Sequence, residues 1–158
     1  MGASGAGGTM QWWQVVLLVL GILTLVFGVL AIVGTIVKRK VKAAIDTHFS
    51  PGEMVLSSYK ANFFGLESKG MGQVRGNGAL VLTREKVWFK QLAVNRIIDI
   101  PLCDIVQVET VHSHLGKSIF RPLLKVQFNV GTTLDAIVWY VPNPQEWIKH
   151  ILKLKNQK

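Results

Sequence analysis

The sequence predicts an α+β chain: one N-terminal transmembrane helix, then a seven-stranded antiparallel β-barrel or sandwich capped by a C-terminal α-helix. Three observations carry this. Val15 to Val37 run for 23 residues without a charge. Between residues 55 and 141, seven short β patterns follow one another with turn residues between them. From Asn143 onward the apolar residues change from a period of two to a helical spacing.

At 1.5 Å per residue the apolar run is about 35 Å long, enough to cross a hydrocarbon core of about 30 Å with some tilt. Trp12 and Trp13 precede it, Lys38, Arg39, Lys40 and Lys42 follow it, and residues 1 to 11 carry no charged side chain. Lys and Arg concentrate on cytoplasmic flanks, so a single-pass protein is expected, with its N-terminus outside and its C-terminal domain cytoplasmic. The indole rings suit the outer interface. A cleaved signal peptide fits less well, because no cation precedes the run and the run is longer than a signal's apolar region.

The expected division is a flexible extracytoplasmic tail over 1–11, the transmembrane helix over 12–37, a basic juxtamembrane linker over 38–50 and a domain over 51–158. The cations Lys38, Arg39, Lys40 and Lys42 are the expected contact with anionic lipids of the cytoplasmic leaflet, at about 1 kcal/mol each. Within the span Gly21, Thr24, Gly28, Ala31 and Thr35 recur at spacings of 3, 4, 3 and 4, on one helix face. That stripe reads as a helix–helix interface, to a second copy or a membrane-protein partner, or as the ordinary frequency of glycine in membrane helices.

The net charge is +9, and beyond the juxtamembrane cluster 14 Lys and Arg stand against 9 Asp and Glu. A basic domain favours an anionic surface. Nucleic acid is not expected, because the cations are dispersed and no motif interleaves them with aromatics. The single Cys103 excludes an internal disulfide, agrees with a reducing compartment, and is expected as a small buried apolar residue.

Lys38 to Asp46 are expected to continue the helix, and Ser50-Pro51-Gly52 to stop it. The strands are expected at Val55–Asn62, Gly78–Thr83, Lys86–Lys90, Arg96–Ile100, Ile105–Val111, Leu124–Val130 and Leu134–Val141. In the sixth, Leu124, Val126, Phe128 and Val130 face one way and Lys125, Gln127 and Asn129 the other. Asn143-Pro144-Gln145-Glu146 is a helix start. Trp147, Ile148, Ile151 and Leu152 then form the apolar face, and lysines close the last turn.

Gly78 to Glu109 resembles the core of a GRAM domain or a bacterial pleckstrin-homology-like (PH-like) domain. The residues that carry the likeness are Gly78, Leu80, Leu82-Thr83, Val87, Phe89, Ile100-Pro101-Leu102, Asp104-Ile105 and Val108-Glu109, with Pro51-Gly52-Glu53 and Val55-Leu56 at the opening. The likeness spans about residues 50 to 154. It implies a PH-like fold, a plasma (inner) membrane address, and a module that binds phosphoinositide-like headgroups or peptides.

By that resemblance Lys60, Lys69 and Arg75 match the phosphate-holding positions, and the Gly-rich stretch Gly65 to Gly78 would bring backbone close to an anion. The other reading is a solvated loop with ordinary surface cations. Lys117 and Arg121 flank Ser118-Ile119-Phe120, whose apolar pair either dips into the lipid interface or folds back onto the core. His112 and His114 lie two apart without a third ligand nearby, so no metal is expected. Asp99 and Asp104 read as turn or surface groups, and no acid/base pair, nucleophile triad or phosphate loop is present, so neither catalysis nor a cofactor is expected. The expectation is a non-enzymatic, membrane-anchored adaptor or scaffold within a membrane protein assembly. The alternative is a module that binds or senses anionic lipid.

Overall fold

The computed structural model describes residues 11–157 except Pro51 and Ala93, and omits the side chains of Val37, Lys38, Val41 and Ala44. The tail expected over 1–11 therefore lies outside the described residues apart from Gln11. The chain divides into two compact units, Met1–Arg39 and Lys40–Lys158.

Helix α1 (Trp12–Asp46) contains the apolar run and, as expected, continues through the basic cluster to Asp46. Within its stretch Trp12–Ile36 an 18-residue window reaches a mean hydropathy of 3.1, and that window is not buried by the rest of the structure. A helix of that length and composition serves to cross a membrane or, near an N-terminus, as a signal sequence.

The second unit holds β1 (Met54–Leu66), β2 (Gly76–Thr83), β3 (Lys86–Gln91), β4 (Arg96–Pro101), β5 (Ile105–Val111), β6 (Leu123–Val130), β7 (Thr133–Tyr140) and α2 (Pro144–Lys155). The strands form one antiparallel sheet in the order β4-β3-β2-β1-β7-β6-β5.

Strand β1 is longer than its alternation suggests, because it serves both halves of the sheet. It pairs with β2 from Met54 to Phe63 and with β7 from Asn62 to Leu66. Register shifts at Ser58/Ala61 and Phe63/Gly65 bend it where it changes partner. Phe63 then faces the main core and Phe64 an outer cluster, so both are fully buried and the period of two disappears.

The main core joins residues from β1 to β7 with Trp147 and Ile151 of α2. Phe89 lies between Phe63 and Trp139, with ring centroids 6.0 and 5.7 Å away. Gly78 is required here: a Cβ would stand 2.3 Å from the Lys90 carbonyl and 2.6 Å from the Phe89 ring. In α2, Ile148 and Leu154 complete the buried face. Leu152 is exposed instead, because the docked face follows Trp147, Ile151 and Leu154, one turn after another. Asn143 does not cap the backbone; its amide donates to Glu146 Oε2 at 3.3 Å. The Lys155 ammonium donates to the carbonyls of Ile105 and Val106 at the sheet edge. Val130, expected to face inward, is exposed where β6 turns through Gly131.

Two outer faces of the sheet are also covered. Ile45 and Phe49 lie on Ala79, Val81 and Trp88, with the Phe49 ring edge-on to Trp88 at 5.2 Å. The β5–β6 loop packs Ile119 against Phe64, Leu123 and Val138.

Candidate functional site

The β1–β2 connection is clamped along its length. The Ser68 N–H and hydroxyl donate to the Asp135 carboxylate at 3.0 and 2.6 Å. Glu67 pairs with Lys125 at 2.9 Å, and Glu109 lies 3.9 Å from the same ammonium. The Gln73 side chain accepts from the Leu66 N–H at 3.0 Å and donates to the carbonyls of Leu66 and Gly70 at 2.7 Å. From the β5–β6 loop, Lys117 donates to the carbonyls of Met71 and Gln73 at 3.0 and 3.1 Å. The glycines do turn the chain here, with φ +143° at Gly65 and +65° at Gly70, but side chains hold the loop rather than leaving its backbone open.

The cations read from the sequence fall into distinct environments. Lys60 is exposed on β1 and Lys69 is exposed at the end of a 3-10 turn, Glu67–Lys69. The Arg75 guanidinium lies over the Phe64 ring, 3.8 Å from its centroid. Lys117 is spent on the two carbonyls, and Arg121 donates to the Tyr140 hydroxyl at 3.1 Å. Lys60 and Lys69 are thus exposed, whereas Arg75 is stacked on a ring. Lys69 shares a cavity of about 490 Å³ with Arg96, Leu66, Gly72, Gln73, Val74 and Val94. Sequence reading missed Arg96, which opens β4 and whose only signal was a cation beside a turn. A strand end gives no clue to which loop it will face.

The β5–β6 loop resolves the Ile119-Phe120 pair by splitting it. Ile119 folds back onto the outer cluster. Phe120 is 98% exposed, with φ +55°. Ser118 Oγ fixes it, donating to the His112 carbonyl at 2.8 Å and accepting from the Phe120 N–H at 3.1 Å.

His112 is exposed and His114 buried, so the two share no site. Burial lowers the His114 pKa from its ordinary 6.5, against the opposing influences of Glu67 and a hydrogen bond to the Gly65 backbone. Among the described residues no group of three or more His, Cys, Asp or Glu stands together. Cys103, expected to be buried, is exposed because the turn after β4 buries its neighbour Leu102 instead. Asp99 pairs with Lys86 at 3.1 Å.

In the first unit the Thr24 and Thr35 hydroxyls donate to the carbonyls of Leu20 and Ala31 at 2.8 and 2.9 Å, one turn back. Gly21 and Gly28 have nothing within 4 Å of a would-be Cβ, and Ala31 is exposed with them. Arg39, Lys40 and Lys42 are exposed, and the Lys38 side chain lies outside the described residues.

No protein-family model and no curated protein matches the chain. Several solved structures are similar, among them the following two. The C-terminal domain of an unknown protein from Leishmania infantum aligns at a TM-score of 0.48 and 13% identity, over 66% of this chain and 85% of that one. The Vps36 N-terminal PH domain aligns at a TM-score of 0.50 and 14% identity, over 69% of this chain and 83% of that one. At that identity the likeness is one of fold, and the fold of the second unit is PH-like.

Proposed function

We propose that this chain is a non-enzymatic adaptor or scaffold of the GRAM or bacterial PH-like kind, anchored in the plasma (inner) membrane by α1. Its N-terminus stands outside and its PH-like domain at the cytoplasmic leaflet, as the distribution of Lys and Arg around the span argues. Contact with a membrane-protein partner or a second copy is its task, and the small-residue face of the span takes part. The carrying observation is the use of Arg75, Lys117 and Arg121 inside the fold. Cations already engaged with a ring, carbonyls and a hydroxyl are poor receivers for a phosphate. A protein tethered by a helix also needs no lipid affinity to reach its membrane.

One observation favours the lipid reading: Lys69 and Arg96 share a cavity. Flotation of the soluble unit Lys40–Lys158 with anionic liposomes separates the two. The adaptor reading expects no flotation at physiological salt. Flotation abolished by charge reversal at Lys60 and Lys69 would establish the lipid module instead. Cross-linking of the full chain in membranes should capture a defined complex that Gly21→Leu with Gly28→Leu disrupts. A pattern that those substitutions leave unchanged removes the span from the interface.

A further inference from the structure

Arg84, His150 and Lys153 line one cavity of about 440 Å³ in the second unit, together with Gln157. Val55 and Leu154 complete its lining, and both pack against the main core. Among the described residues no Asp or Glu lines this cavity. Its four polar side chains can all donate a hydrogen bond, and two of them, Arg84 and Lys153, can only donate. Elsewhere in the domain Arg75, Lys86, Lys117, Arg121, Lys125 and Lys155 are each engaged with a ring, a carboxylate, a carbonyl or a hydroxyl. Among the described residues Arg84, His150 and Lys153 enter no ion pair, hydrogen bond or ring contact. Glu53 and Glu85 line a neighbouring cavity that shares Arg84, yet neither pairs with it. Gathering like charges without a counter-charge is repulsive, so the arrangement calls for an anion from outside the chain.

The donors stand on rigid elements. Thr83 Oγ1 accepts from the N–H groups of Glu85 and Lys86 at 3.2 and 3.0 Å, and the Glu85 carbonyl accepts from the Leu102 N–H at 2.8 Å. The β2–β3 turn that carries Arg84 is therefore fixed. On α2 and its end, His150, Lys153, Leu154 and Gln157 follow at i, i+3, i+4 and i+7, along one helix face. Trp147 and Ile151 anchor that helix in the core. The helix dipole accounts for a lysine in the last turn. It does not account for an arginine brought to the same cavity from another element.

We propose that this cavity binds a phosphate monoester, carried on a soluble small molecule or on a lipid headgroup. Two cations, an imidazole and an amide match a group with a charge of about −1.5 to −2 and three acceptor oxygens. The guanidinium fork can take two of those oxygens at once. A carboxylate brings one charge and two oxygens, and would leave donors unmatched. The cavity is also of small-molecule size, within the range of about 300–1,000 Å³. Val55 and Leu154 are left to contact the carbon body that bears the phosphate. The site shares no residue with the cavity of Lys69 and Arg96. It depends neither on the anchoring of α1 nor on the adaptor reading.

The test uses the isotope-labelled full chain in micelles of an uncharged maltoside detergent. Backbone amide resonances are followed during titration with glycerol 3-phosphate, with acetate at matched ionic strength as the control. A parallel series dopes the micelles with phosphatidic acid, which carries the same group on a lipid. Saturable shifts should centre on Arg84 and residues 150–157. Arg84→Gln with Lys153→Gln should weaken binding at least about tenfold, and Arg84→Lys, which keeps the charge but loses the fork, should weaken it less. Lys90→Gln with Lys149→Gln removes the same charge elsewhere and should leave binding unchanged. Unaltered melting temperatures show that each variant is folded. Response to glycerol 3-phosphate alone supports the site with a soluble ligand, and response to phosphatidic acid alone supports it with a lipid headgroup. Response to both supports recognition of the phosphate whatever carries it. The proposal is overturned if neither probe gives saturable shifts, if acetate shifts the same residues as strongly, or if the Lys90 and Lys149 variant loses as much affinity as the Arg84 and Lys153 variant.

Discussion

At the scale of single residues, backbone conformation and burial decide more than chemical type does. Phe120→Gly relieves a left-handed conformation that costs an L residue about 1–2 kcal/mol, at an entropic cost of about 0.5–1 kcal/mol for glycine. Its stability by denaturant titration is therefore expected to equal the parent's or exceed it by up to about 1.5 kcal/mol. Gly78→Ala runs the other way. Its Cβ meets backbone and ring at 2.3 and 2.6 Å, an overpacking that should cost about 1–3 kcal/mol in the same titration. His114 makes stability depend on pH. Burial holds its folded pKa below 6.5, so the unfolded chain takes the proton more readily than the folded one. Its contribution is complete above about pH 6.5 and is lost as pH falls through the folded value. Denaturation midpoints between pH 8 and pH 5 should therefore fall more for the parent than for His114→Gln; an equal fall would remove His114 from this role. Gly78 and Val87 were legible as fold positions because their apolar and turn context repeats along the strands. Phe120 was legible only as one of two neighbours, because sequence order does not tell which of Ile119 and Phe120 turns inward.

At the scale of elements, the β1–β2 and β5–β6 loops behave as one clamped body. Lys117 alone joins them through two carbonyls, and His114 and Leu115 lie against Gly65. Lys117→Met keeps the length of the side chain but removes the donor. It is expected to cost about 1 kcal/mol and to raise amide hydrogen exchange across residues 65–75; unchanged exchange there would mean that the Ser68–Asp135 and Glu67–Lys125 links suffice. The strands and α2 were readable from period and turn chemistry to within a few residues. The loops were not. Gly-rich composition reports freedom of φ, and it does not report which distant side chains will hold the loop.

At the scale of the whole molecule, the segment after the basic cluster is more than a spacer. Ile45 and Phe49 cover Ala79, Val81 and Trp88 on the outer face of β2 and β3. We propose on this ground that the domain begins at Lys40 rather than at residue 51. A soluble chain begun at residue 51 should melt at a lower temperature and show red-shifted tryptophan emission compared with Lys40–Lys158. Phe49→Ala in the longer chain should cost about 3 kcal/mol. Identical melting of the two fragments would return residues 40–49 to the status of a tether. The strand β2 hints at this cover in sequence, since Gly78 to Thr83 is a continuous apolar run rather than an alternating one, the mark of a strand buried on both faces.

What the sequence by itself determined is what short-range periodicity and composition encode: a helix with no polar face, antiparallel strands punctuated by turns, and a capping helix. Each of these follows from apolar residues repeating at a fixed interval, so each is local. Only the tertiary structure decided which cations stay free, which of two adjacent apolar residues is buried, and what covers the outer faces of the sheet. Those outcomes depend on contacts between residues as far apart as Ser68 and Asp135, or Met71 and Lys117. Such contacts arise from the path of the folded chain, and no interval along the sequence carries them.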